Sequence, residues 1–394
     1  MRLRPLRAAA LLAALAGCAT GAANRAAPAP AIAAAPGAAG AGPERDYFAF
    51  VLSESADLVS LVRFGPDGLT VERQTKVGLL PTEINGPHGV GVAPDGRHYY
   101  VSIAHGMPYG SLWKLTTVGD TVVGRVTLGL FPASLQVSPD GAYVYVANFN
   151  LHGDMVPSSV SVVAADEMVE VARVPTCTMP HGSRLDARGA KHYSTCMMDD
   201  VLVEIDTRTF AVSRHFMVAA GREHGMDGPP RAAAHAGGHG AAAMPAPSCS
   251  PTWAAPTPDG ARIFVACNKS NDIVEVDAAT WTLRRRIPAG DGVYNLAVSP
   301  DGRLLVATNK RGNSVSVIDV TSGRELGRIP TRRKVVHGVA ITHDGRYAFV
   351  TVEGVGSEPG TVEVVDLRSL RSVASADVGQ QAAGVDVWRG AERD

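Results

Sequence analysis

GVYNLAVSPDGRLLVATNKRGNSVSVIDVTSGRELGRIPT, residues 292–331, contains four short strand-like runs separated by turns. The first run ends in Ser299-Pro300-Asp301-Gly302. An Asp-Gly pair supplies the positive φ that a tight hairpin needs, at little steric cost. In the third run Val315, Val317 and Asp319 alternate imperfectly with Ser314, Ser316 and Ile318. That pattern suits a strand buried on both faces rather than on one. Four such strands in about 40 residues is the spacing of a β-propeller blade.

The same unit recurs along the chain. GPHGVGVAPDG, LFPASLQVSPDG, MPHGSRLDARG, SPTWAAPTPDG and VVHGVAITHDG share the pattern, with turn glycines at 96, 141, 189, 260 and 345 besides Gly302. The stretch DYFAFVLSESADLVSLVRFGPDGLTVERQTKVG holds three strands and lacks a first one, while the C-terminal QAAGVDVW is a lone first strand. Together they make a seventh blade. The expected fold is an all-β, seven-bladed propeller of four-stranded blades, closed by pairing the N-terminal strands with the C-terminal strand. Closure removes the sheet edges that would otherwise invite aggregation.

The recurring SPDG turns, the YVAN and VATN segments and the SVSVID strand resemble the YVTN-repeat β-propeller family over residues 46–388. The resemblance implies a seven-bladed ring, usually exported, with varied binding roles. Seven-bladed relatives include lactonases and propeller subunits of dehydrogenases. Fold alone does not choose among these.

The 394 residues carry a formal charge of −1, which argues against nucleic-acid binding. Arg2, Arg4 and Arg7 precede an apolar stretch, Ala8 to Ala16, too short to span a bilayer. Leu15-Ala16-Gly17-Cys18 resembles the lipobox of bacterial lipoproteins. This implies lipidation of Cys18, a membrane anchor and an envelope address. In a Gram-negative cell Ala19 would direct the chain to the periplasmic face of the outer membrane. Residues 1–17 are thus expected as signal peptide and 18–44 as a lipidated cysteine on a disordered Ala/Gly/Pro-rich stalk. The propeller takes 45–388, with a disordered insertion at 219–248 between blades four and five, and 389–394 form a tail.

Besides Cys18 there are four cysteines, an even number suited to an oxidising compartment. Cys177 and Cys249 precede the inner strands of blades four and five. Cys196 and Cys267 end the second strands of the same blades. Adjacent strand ends favour Cys177–Cys196 and Cys249–Cys267, and a cross-blade pair such as Cys196–Cys249 stays open.

In a propeller, the segments leading into the inner strands and the loops after the second strands share one face, here called the top. The position eight before each turn glycine reads His88, Ala133, His181, Thr252, Tyr294 and His337, with Ala383 as the seventh. His88, His181 and His337 could converge on a ligand or a metal. The alternative is that Pro-His-Gly is a structural turn, and no carboxylate partner is evident in the sequence. The loops after the second strands add His105, Asn150, His152, Met197, Met198, Asp199, Asp200, Lys269, Lys310, Arg311 and Glu353. The insertion contributes His224, Met226, His235, His239 and Met244. His and Met together suit copper, because thioether prefers Cu(I) while imidazole takes Cu(II), and zinc is the alternative that imidazole allows.

No nucleophile elbow, HExxH helix or phosphate loop is present. The first reading is a non-catalytic envelope protein binding a ligand or partner on its top face, with a metal ion such as copper as the specific candidate. The alternatives are a lactonase-like hydrolase or redox-associated propeller enzyme, its base drawn from His88, His181, His337 or Glu353, and a scaffold for other envelope proteins.

Overall fold

The computed structural model describes residues 43–79, 82–105, 109–230 and 246–388. Residues 39–394 group as one unit, and the other unit, 1–38, lies outside the described residues. Cys18, the stalk to residue 42, the tail and the ligands expected at His235, His239 and Met244 therefore lie outside them too.

Seven antiparallel sheets form the ring. The inner strands are Ala382–Trp388, Pro87–Val92, Pro132–Val137, Pro180–Leu185, Pro251–Pro256, Val293–Val298 and Val336–Ile341, for blades one to seven. Blade one is closed as expected: Phe48 opposes Trp388 and Val51 opposes Val385 across the joined termini. Each pair of neighbouring blades shares one apolar cluster, so the core is a ring of seven interfaces. Val315 and Val317 pack toward blade seven, and Ile318 packs toward blade five. Burial on both faces thus explains their imperfect alternation.

The turn chemistry repeats as the sequence implies. In blade three Ser138 Oγ donates to Asp140 (2.5 Å), and the Tyr143 amide donates back to Ser138 Oγ (2.9 Å). Gly141 takes the left-handed φ of +74° that closes this turn.

A second device ties the inner strands together. The hydroxyl of Ser102 accepts from the Gly89 amide (2.8 Å) and donates to the Ala133 carbonyl of the next blade (3.0 Å). Thr308 and Thr351 do the same, toward His337 and Ala383. The neighbouring backbone comes so close that a Cβ on Gly89 would stand 2.2 Å from the Ala133 oxygen. Gly182 and Gly338 face equivalent carbonyls. The glycine of each His-Gly pair is therefore structural.

The disulfides are Cys177–Cys196 and Cys249–Cys267, so the cross-blade pairing is not formed. The insertion differs from expectation at its start. His224–Asp227 forms a fifth strand on blade four, paired with Ala211–Met217. The segment is held by Glu223, which pairs with Arg286 (2.6 Å). At the far side Asp200 accepts from the amides of Ser248, Cys249 and Ser250. Among the described residues no helix is long and apolar enough to cross a membrane.

Candidate functional site

Two stacked rings of residues build a chamber at the top of the channel. The lower ring is the opening position of each inner strand: Ala383, His88, Ala133, His181, Thr252, Tyr294 and His337. The upper ring, the rim, is the residue directly after each second strand: Glu54, Ala104, Phe149, Met197, Asn268, Lys310 and Glu353. Six of the rim residues, all but Ala104, line the chamber. Its volume is about 630 Å³. The three histidines do converge: the His88 ring lies 5.2 Å from His337 and 6.1 Å from His181.

Glu54 supplies the carboxylate that sequence reasoning missed. It sits in a short 3₁₀ turn, Glu54–Ala56, after the second strand of blade one. Its side chain is buried and accepts from His88 Nδ1 (2.8 Å) and His105 Nε2 (2.7 Å). Burial alone would raise its pKa. The charges and hydrogen bonds of His88 and His105 outweigh that effect and hold it well below the usual carboxylate range. Among the described residues His88 Nε2 has no protein partner and stands at the chamber wall. The signal for Glu54 was its rim position. Blade one has no inner-strand turn glycine to align on, so that position was not recognised.

His181 is satisfied differently. Burial, with the charges of His88 and Lys310, lowers its pKa to about 3, so it is neutral at pH 7. Its Nδ1 donates to the Thr252 carbonyl (3.1 Å), and its Nε2 accepts from the Tyr294 hydroxyl (3.0 Å). Burial raises Tyr294 to about 12. His337 is also kept neutral, by burial first and then by Lys310 and the other two histidines. Among the described residues its Nδ1 makes no well-formed hydrogen bond, although the Ala383 carbonyl acts on the ring. Lys310 donates to Glu353 (2.7 Å) and lies 4.4 Å from the Tyr294 ring centre. Burial opposes its charge, but Tyr294 and Glu353 more than offset this and raise its pKa.

The chamber is two-sided. Phe131, Phe149, Leu151 and Met197 form an apolar wall on the side of blades three and four. Lys310, Glu353, Asn313 and the exposed Lys334 make the side of blades six and seven the more polar wall, although Val335 and Val355 also line it. Below, the channel narrows to a waist of about 30 Å³ around Trp253, Asn295 and Arg184. It reopens at the bottom as a funnel lined mostly by aliphatic side chains such as Leu135, Leu296 and Ile341.

The expected residues thus separate. His88, His181, His337, Met197, Lys310 and Glu353 line the chamber, and His105 stands behind Glu54. Met198 instead lines a second cavity beside blade four, and Lys269 is exposed outside the chamber. The expectation of histidines without a carboxylate is corrected by Glu54. Both nitrogens of His181, and Nδ1 of His88, are engaged within the protein, which leaves no three-histidine metal set. Among the described residues no group of three or more His, Cys, Asp or Glu side chains is arranged to hold a metal ion.

No protein-family model matches the sequence, and no curated protein is significantly similar to it. Solved structures do share the fold. A chain of the Kuenenia stuttgartiensis hydrazine synthase aligns with a TM-score of 0.59 and 19% identity over 78% of this chain and 93% of that one. A functionally unknown protein from Desulfotomaculum acetoxidans aligns with a TM-score of 0.64 and 14% identity over 87% of this chain and 99% of that one. At such identities the likeness is one of fold.

Proposed function

We propose that this chain is a propeller that binds a small amphipathic molecule in its top chamber, without transforming it. The observation that carries this reading is the pairing of the two walls in one cavity. An apolar wall of Phe131, Phe149, Leu151 and Met197 faces a polar wall containing Lys310, Glu353 and Lys334. Such a cavity, apolar with a few placed polar groups, fits a ligand whose apolar body lies on the phenylalanines and whose head, a carboxylate, meets the lysines. The narrow waist means that the ligand enters and leaves from the top.

The YVTN-repeat resemblance and the lipobox belong to the same proposal. In it Cys18 carries a lipid and the chain is held in the envelope, the outer membrane in a Gram-negative cell. Near the start of the described residues Tyr47 donates to Asp344 (2.7 Å) in a bottom-face turn of blade seven.

The test is thermal unfolding with benzoate, phenylacetate, hexanoate and the matching amines. A ligand at 100 times its Kd stabilises the folded state by about 2.7 kcal/mol. The acids are expected to raise the midpoint of the wild type, and Lys310→Met and Phe149→Ala are expected to lose most of that rise. No shift with any acid, or variants shifted as far as the wild type, would remove the reading.

One observation favours a second reading, a hydrolase. A buried carboxylate orients His88 through Nδ1 and leaves Nε2 toward the chamber, the arrangement of a general base. Lactone hydrolysis that vanishes in His88→Gln, with the fold retained, would establish it.

A further inference from the structure

Blade four is the one blade with a fifth described strand, and the register of that strand brings four side chains together. His215 is directly opposite Met226, and Met217 is directly opposite His224. Directly opposed residues of an antiparallel pair project to the same face, as do residues two apart on one strand. The four side chains therefore form a square on one face of this outer hairpin, with His and Met alternating at its corners. Direct cross-strand neighbours have Cβ atoms about 4.5–5.5 Å apart.

The imidazoles are set up alike. His215 Nδ1 donates to the Gly228 carbonyl (2.8 Å), and His224 Nδ1 donates to the Arg222 carbonyl (2.6 Å). Each ring is thereby fixed in the tautomer whose lone pair is on Nε2, and neither Nε2 has a partner among the described residues. A backbone carbonyl on the far nitrogen is the usual way a metal-binding histidine is oriented. His215, Met217 and Met226 also line a cavity of about 610 Å³, together with Met198. His224 is exposed beside them.

We propose that His215, Met217, His224 and Met226 form a binding site for a soft monovalent metal ion, Cu(I) being the natural candidate. Two thioethers and two imidazoles match Cu(I), whereas Zn(II) is poorly served by thioether. The four sulfurs of Cys177, Cys196, Cys249 and Cys267 are held in disulfides and do not compete. The site is separate from the chamber, so its failure would leave the chamber reading untouched.

The experiment is Cu(I) competition against bicinchoninate on the full-length chain, anaerobic, with ascorbate as reductant and Cys18→Ser in every arm. A single bound Cu(I) is expected, with sulfur and nitrogen ligands by X-ray absorption. Met217→Leu/Met226→Leu keeps the apolar bulk. It should weaken binding by more than the ~10–100-fold that follows loss of an outer partner, with the circular dichroism unchanged. A second variant lacking residues 231–245 should bind as the wild type does. No uptake, uptake unaffected by the double substitution, or uptake lost only in the deletion would each overturn the proposal.

Discussion

His192 shows how much a single buried group can govern in this ring. It lies in the second strand of blade four, fully buried, stacked on Tyr145 with ring centres 5.0 Å apart. Among the described residues neither ring nitrogen has a hydrogen-bond partner. Burial, aided by the Arg184 charge, lowers its pKa to about 3. Unfolded, it takes up a proton near pH 6.5. Between pH 6.5 and 3 the unfolded state therefore binds more protons, and stability falls as the solution is acidified. His181, also at about 3, adds to the same slope. Each such group contributes about 1.4 kcal/mol per pH unit within the window. His192→Phe fills the same space and removes both unpaired nitrogens. Its urea midpoint is expected to drop less than the wild type's between pH 7.5 and pH 5. An equal drop in the two proteins would show that His192 is not a source of the acid sensitivity.

At the scale of elements, the contact between neighbouring inner strands sets the chamber, because it fixes the height at which His88, His181 and His337 stand. Gly89→Ala places a methyl group against the Ala133 carbonyl, where the atoms cannot both fit. The strand must shift, at a cost of about 1–3 kcal/mol or more. The measurement is the urea midpoint, and a variant as stable as the wild type would mean the ring yields there freely. This element was legible in the sequence only as a motif. His-Gly was readable as a turn, but the carbonyl that demands glycine comes from the next blade. Distance along the chain hid Glu54 in the same way, since its partners His88 and His105 are 34 and 51 residues away. The blade repeat and both disulfides were readable, because turn glycines and strand ends are local marks. The fifth strand was not. HGMD has no β-branched residue and sits in an Ala/Gly/Pro-rich stretch, and what makes it a strand is the free edge of Ala211–Met217 beside it.

For the whole molecule, the decisive bond is the one between its ends. The last strand, Ala382–Trp388, is the inner strand of blade one and touches two interfaces at once. Ala382 and Val387 belong to the cluster shared with blade seven, and Trp388 packs against the cluster shared with blade two. The Trp388 indole also donates to the Gly96 carbonyl in the bottom turn of blade two (2.9 Å). Arg45 pairs with Asp344 from the other end of the chain. A chain ending at Asp377 would keep the Arg45–Asp344 pair but lose every contact of Ala382–Trp388, and leave the edge of Tyr47–Ser53 unpaired next to an open channel. Open edges of this kind recruit other chains. The truncated protein is expected to unfold without a sharp transition and to associate on size-exclusion chromatography. A peptide of residues 378–394 supplied in trans should restore a monomer, since an added strand can complete a sheet edge. A truncated chain that stays monomeric and unfolds at the wild-type midpoint would show that six blades and a partial seventh hold the ring without closure. The chamber would then owe its shape to the interfaces between blades alone.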